Sequence, residues 1–173
     1  GAGACTLGSG NIVIGGRVAG NATTPAVLNL AAAGDVTISE QVNLNGSTTA
    51  SDGGTVSIMA AGKVYVLARI QASSGADGSG GELVIDAGSS VSLLALVDVK
   101  GGDFDGGLID VNSGGDINIT ASLLASSSAR EGFGGYIALS ASGDISAAGG
   151  SAASPIVLDT DGHGSVAIGG DGG

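Results

Sequence analysis

The sequence predicts an all-β chain: a right-handed parallel β-helix, or solenoid, of about six rungs of 21–28 residues with three short strands each. Three observations predict it. A five-residue phrase recurs seven times, alternating apolar pairs stand at near-constant distances from it, and small aliphatics take the place of large rings throughout.

The phrase is a small residue, a polar residue, then apolar-x-apolar. It begins at Gly10, Gly34, Gly62, Ser89, Gly115, Gly143 and Gly164, at intervals of 24, 28, 27, 26, 28 and 21 residues. Apolar side chains at period two mark a strand with one buried face. A second alternating pair precedes the phrase: Leu28/Leu30, Val56/Ile58, Leu83/Ile85, Ile109/Val111 and Ile137/Leu139. A third follows it in four of the repeats: Val42/Leu44, Ile70/Ala72, Val97/Val99 and Leu123/Ala125. Three such strands cannot bury their apolar faces within one repeat, whereas stacked repeats bury a continuous column. Equivalent strands then pair in parallel about 4.8 Å apart, so six rungs make a rod of roughly 30 Å. The strong handedness preference of parallel crossovers sets a right-handed coil.

Composition agrees. Of 173 residues, 35 are glycine and only four are aromatic: Tyr65, Phe104, Phe133 and Tyr136. A mean hydropathy of +0.44 separates the chain from disordered sequences, which are poor in apolar residues. The length suits one domain spanning 1–173. Its last rung turns irregular from about Gly149, where Pro155 lacks a ladder donor. A formal net charge of −11, with five scattered basic residues (Arg17, Lys63, Arg69, Lys100 and Arg130), argues against nucleic acid as a partner. No apolar run approaches the roughly 18 residues of a membrane span.

Loops ending in Gly-Gly join the third strand of each rung to the first strand of the next, at 49–54, 75–81, 101–107 and 130–135. Stacked, they are expected to align Asp52, Asp77, Asp103 or Asp105, and Glu131 along one edge. Carboxylates and bared carbonyls are hard oxygen ligands, so Asp77, Asp103, Asp105 and Glu131 are candidate ligands for calcium shared between rungs. Plain solvated turns are the competing reading, and the nine-residue calcium repeat of β-rolls is absent. No other cofactor is expected. Tyr65, Leu67, Leu94 and Leu96 form an apolar group at a corner, a candidate lateral contact. Cys5, the single cysteine, has no internal partner and is a candidate intermolecular link. His163, the single histidine, reads as an exposed loop residue. No carboxylate pair with a neighbouring Arg or Lys shares an outer face, so an enzyme is not expected.

The phrase Gly34-Asp35-Val36-Thr37-Ile38 and its copies at Gly115–Ile119 and Gly143–Ala147 resemble the repeats of filamentous haemagglutinin-type exoproteins, over about Gly10 to Ile168. The resemblance implies a secreted bacterial adhesin built as a right-handed β-helix. That family's typical rung is shorter than most intervals here, so an extra loop per turn is expected. The role expected is therefore structural: an extracellular or cell-surface subunit that stacks head to tail on copies of itself into a filament. The alternative is a segment of a bacterial adhesin that binds surface glycans.

Overall fold

The computed structural model describes residues 3–6 (backbone), 10–20, 23–128, 132–150 and 155–162. Among them every regular element is a strand. The first coil is β1 (Gly3–Thr6), β2 (Ile12–Ile14) and β3 (Val18–Ala19), and the second β4 (Val27–Ala32), β5 (Val36–Ile38) and β6 (Val42–Asn43). The third holds β7 (Thr55–Ala60), β8 (Val64–Val66) and β9 (Ile70–Gln71), and the fourth β10 (Glu82–Ala87), β11 (Val91–Leu93) and β12 (Val97–Asp98). The fifth holds β13 (Leu108–Ser113), β14 (Ile117–Ile119) and β15 (Leu123–Leu124). The last described coil holds β16 (Tyr136–Ala141), β17 (Ile145–Ala147) and β18 (Leu158–Asp159).

Equivalent strands stack into three six-stranded parallel sheets, β1-β4-β7-β10-β13-β16, β2-β5-β8-β11-β14-β17 and β3-β6-β9-β12-β15-β18. The chain is a three-sided β-solenoid, as the repeats predict. Register holds although coil length varies, because the loops absorb the difference: Ile85 pairs with Ile58 on one side and Val111 on the other. The apolar-x-apolar pairs point inward as expected. Val36, Ile38, Val56, Leu83, Ile85, Val91, Leu93, Ile109 and Ile117 are all fully buried. Like stacks on like along each column, which close-packs the interior without rings.

The strands preceding each phrase are longer than the sequence pairs suggest. Each of β4, β7, β10, β13 and β16 runs six residues. A third inward position carries Ala32, Ala60, Ala87, Ser113 or Ala141, small residues that fit where the chain turns into the next sheet. Ser113 keeps its hydroxyl paired there by donating to the Ser89 carbonyl at 2.7 Å. Third strands also exist in the first and last coils. Val18 pairs with Val42, and Leu158 with Leu123. The predicted irregularity from Gly149 is real: Gly149 has φ 122°, in the region that favours glycine. Pro155 lies outside the strands, just ahead of β18. The phrase at Gly164 and the residue His163 lie outside the described residues.

The phrase has a structural reason. The Asn11 Oδ1 accepts the Asp35 backbone N–H of the next coil at 2.8 Å. Asp35 Oδ1 likewise accepts the Lys63 N–H at 2.8 Å, and Asp116 Oδ1 the Asp144 N–H at 2.9 Å. Each of these oxygens lies over the first residue of the next phrase. A Cβ at Gly34, Gly62 or Gly143 would collide with it. The exception obeys the same rule: Ser89, the one non-glycine start among the described coils, follows Lys63, whose side chain offers no acceptor. The Gly-Gly ends of the loops are a second close approach. A Cβ at Gly81 would meet the carbonyls of Ala72 and Gly54.

Two expectations follow. Ile85→Ala, at a fully buried central position, should cost about 2–5 kcal/mol in equilibrium denaturation, without changing the β-type circular dichroism. Gly62→Ser should cost about 1–3 kcal/mol through crowding at Asp35. Asp35→Lys added to Gly62→Ser recreates the Lys63–Ser89 pair and should recover most of the loss, whereas additive losses in this cycle would refute the account.

Candidate functional site

A regular rod offers sites as columns, because each loop or outward position repeats once per coil. Three columns carry the chemistry.

The first is the outer face of the third sheet. Register aligns Asn43, Gln71, Asp98, Leu124 and Asp159. Gln41 Nε2 donates to Gln71 Oε1 at 2.6 Å. Asp98 is only 7 % exposed. Its carboxylate accepts from Arg69 Nη2 at 3.0 Å and from Ser73 Oγ at 2.8 Å. The Arg69 guanidinium keeps contact with water, with 43 % of its side chain exposed. Asp159 accepts from Ser126 Oγ at 2.8 Å. Beside this ladder lies an open cavity of about 430 Å³ whose lining includes Ser73, Ser74, Lys100, Ser126 and Asp159.

The second column is a groove floored by the Gly-Gly pairs. It has a volume of about 420 Å³ and runs past Gly53, Gly80 and Gly81, Gly106 and Gly107, and Gly134 and Gly135. One wall is the outward row Thr55, Glu82, Leu108 and Tyr136, aligned by register. One residue before these glycines the backbone ladder aligns Asp52, Ser79, Asp105 and Phe133. Tyr136, which lines one end of the groove, is 59 % exposed, and Phe133, the residue before Gly134, is also exposed.

The loop carboxylates thus have particular places. Asp52 Oδ1 accepts the Ser79 N–H at 2.9 Å, and Asp105 Oδ1 the Phe133 N–H at 3.1 Å. They cap the next coil as Asp35 does. Asp52 and Asp105 stand two coils apart with Ser79 between them, so the acids of this row are spaced rather than stacked. Asp77 and Asp103 are exposed, and their backbone N–H groups donate to the Thr49 and Ala76 carbonyls. Glu131, the fourth candidate calcium ligand, lies outside the described residues. Among the described residues no three His, Cys, Asp or Glu side chains converge as a metal site. Phe104 is exposed and one position out of line with Phe133.

The third column is the corner after the second strand. Leu67 N–H donates to the Ile38 carbonyl, and Leu94 N–H to the Val66 carbonyl. Leu67 and Leu94 therefore occupy one position in adjacent coils. They are 48 % and 40 % exposed, whereas Tyr65 and Leu96 are half-buried. Cys5 lies in the edge strand β1, opposite Leu30; its side chain is outside what is described.

Comparison with family models, with curated proteins and with solved structures found no match. Among the described residues no helix is long and apolar enough to cross a membrane.

The columns could not be read from the sequence, because column membership depends on where each loop returns. Asp98 is the clearest case: it carries no motif, and only the stacking of 98 on 71 brings it within reach of Arg69 and Ser73. Arg69→Met should leave a largely buried carboxylate with Ser73 as its side-chain partner and cost about 1–2 kcal/mol, less than for a fully buried pair because the guanidinium is solvated. Adding Asp98→Asn should return most of that loss in urea denaturation. A null effect of Arg69→Met would show that Ser73 alone satisfies Asp98.

Proposed function

We propose that this chain is a structural protein, an extracellular β-solenoid unit that stacks end to end into a surface filament. The observation that carries the reading is the state of the last described coil. Inward columns that are fully buried in the middle of the rod come to the surface there: Ile145 and Leu158 are each 49 % exposed, and among the described residues β16, β17 and β18 pair on one side only. Such edges are templates for further strand pairing, and proteins cover them. A surface that differs at the two ends of the rod joins head to tail, and head-to-tail contacts that do not close generate fibres. A structural role agrees with the duties of several outer carboxylates, since Asp35 and Asp52 cap backbone N–H groups and Asp98 pairs with Arg69 and Ser73. The exposed Leu67–Leu94 corner supplies a lateral contact between such filaments.

A second reading is favoured by the glycine-floored groove. A trough with exposed Tyr136 at one end and Glu82 on its wall has a ring face and a polar acceptor of the kind that suits a sugar chain. On that reading the chain is a segment of an adhesin of haemagglutinin type that holds surface glycans. The extracellular, bacterial setting belongs to both readings and comes from the same resemblance.

Electron microscopy of the purified chain separates them. The filament reading expects threads whose diffraction carries a meridional spacing of about 4.8 Å. Monodisperse short rods that are retained on a glycan array, with Tyr136→Ala abolishing retention, would favour the adhesin segment instead.

A further inference from the structure

The side-chain caps that join the coils make a second contact. At Asn45 the Oδ1 accepts the Ser73 N–H of the next coil at 2.9 Å, and the following N–H, that of Gly46, donates to the Ser73 carbonyl at 2.9 Å. Asp52 with Gly53 holds Ser79 in the same way, at 2.9 and 3.0 Å, and Asp105 with Gly106 holds Phe133, at 3.1 and 2.9 Å. One residue of the next coil thus ties down both a side-chain carbonyl and the backbone nitrogen that follows it. Those two groups are the reacting pair of succinimide formation, in which the nitrogen attacks the side-chain carbonyl carbon. Glycine in the second place favours that reaction, because it has no side chain to hinder the approach and leaves the backbone free to bend. Asn45-Gly46 is the one Asn-Gly pair in the sequence. The fold requires its glycine: a Cβ at Gly46 would meet the Ser51 carbonyl and the Gly75 backbone nitrogen.

We propose that Asn45 is a self-modification site whose reaction is gated by separation of the coils. While Ser73 is in place, the Gly46 proton is engaged and the Asn45 side chain is held off the nitrogen. When the Ser73 coil lifts, the Gly46 nitrogen gives up its proton to solvent and bonds to Asn45 Cγ. The Cγ–Nδ2 bond breaks and ammonia leaves. Water, the only co-reactant, then opens the succinimide at either of its carbonyls. One opening yields aspartate on an unchanged backbone. Aspartate is the residue that makes this clamp at positions 52 and 105, so the junction recloses with an added negative charge. The other opening yields isoaspartate, which lengthens the main chain by a methylene. Gly46 then no longer meets the Ser73 carbonyl, and the junction stays open. The site records coil separation irreversibly, whichever role the rod has.

The test is peptide mapping by mass spectrometry of the purified chain held in mildly alkaline buffer, folded and in urea. Asp77→Asn supplies the internal control. Asp77 is exposed, its carboxylate accepts no hydrogen bond among the described residues, and the Gly78 N–H donates within its own turn, to the Gly75 carbonyl. This variant therefore carries a second Asn-Gly without a clamp. In its folded state, position 45 should deamidate about tenfold or more slowly than position 77, because it waits for local opening. In urea the two positions should react at the same rate. Ile70→Ala in the same background removes packing from the junction, where Ile70 stacks on Val42; it should speed position 45 and leave position 77 unchanged. Asn45→Asp should melt as the wild type does, and chains carrying isoaspartate, separated after urea treatment, should melt lower. Equal rates at 45 and 77 in the folded chain overturn the gate. No reaction at position 45 in urea overturns the site. Isoaspartate chains that melt as the wild type does overturn the irreversible step.

Discussion

The whole structure depends on one constraint: each coil must satisfy the backbone of the next. The strands run across the rod and their hydrogen bonds run along it, so the neighbouring coil is the partner of nearly every N–H and C=O. The ladder continues beyond the strands, from Val36 N–H to the Lys63 carbonyl and from Gly106 N–H to the Phe133 carbonyl. At the corners the backbone alone cannot reach, and side chains complete it. Asn11, Asp35, Asp52, Asp105 and Asp116 each use a side-chain oxygen to accept the N–H one coil further on. The acidity of the chain is in part a by-product of this duty, since each such oxygen gives a partner to an N–H that the backbone ladder does not pair.

The same constraint selects the small residues. An oxygen reaching between coils leaves no room for a Cβ beneath it, and a loop returning to the first sheet must pass against the carbonyls at the end of the third strand. Glycine is therefore placed by contact, one coil at a time, rather than by a need for unusual backbone angles; Gly149 is the one described glycine that adopts a positive φ. The inward columns face a matching limit. They are filled by Val, Ile, Leu and Ala because a larger side chain would have to be accommodated by the coils on both sides.

Much of this was legible in the sequence because stacking imposes a period. The phrases at Gly34, Gly62, Ser89, Gly115 and Gly143, with their flanking pairs, located strands in every coil. The expected extra loop per turn is the Gly-Gly loop that joins the third sheet to the first. Where a strand departs from the apolar pairing the pattern failed. Two residues after Val18, where the apolar partner would stand, is Gly20, whose added Cβ would meet Leu44 of the next coil; Leu158 follows an irregular approach through Gly149. The third inward column was missed because alanine is a weak apolar signal. The outer columns were the least legible. Aligning Asp105 with Phe133 needs the register of the loops, and sequence spacing placed the loop acids in one row instead.

The direction of the hydrogen bonds has a mechanical consequence. Tension applied between the two ends of the rod pulls along those bonds and loads the ladders of one junction at a time, so coils peel away in sequence instead of sliding past one another in shear. Each released coil, such as the 27 residues between Val64 and Val91, yields about 90 Å of extended chain, where the folded coil occupied about 4.8 Å. A stack of such coils is compact at rest and lengthens nearly twentyfold per coil under load.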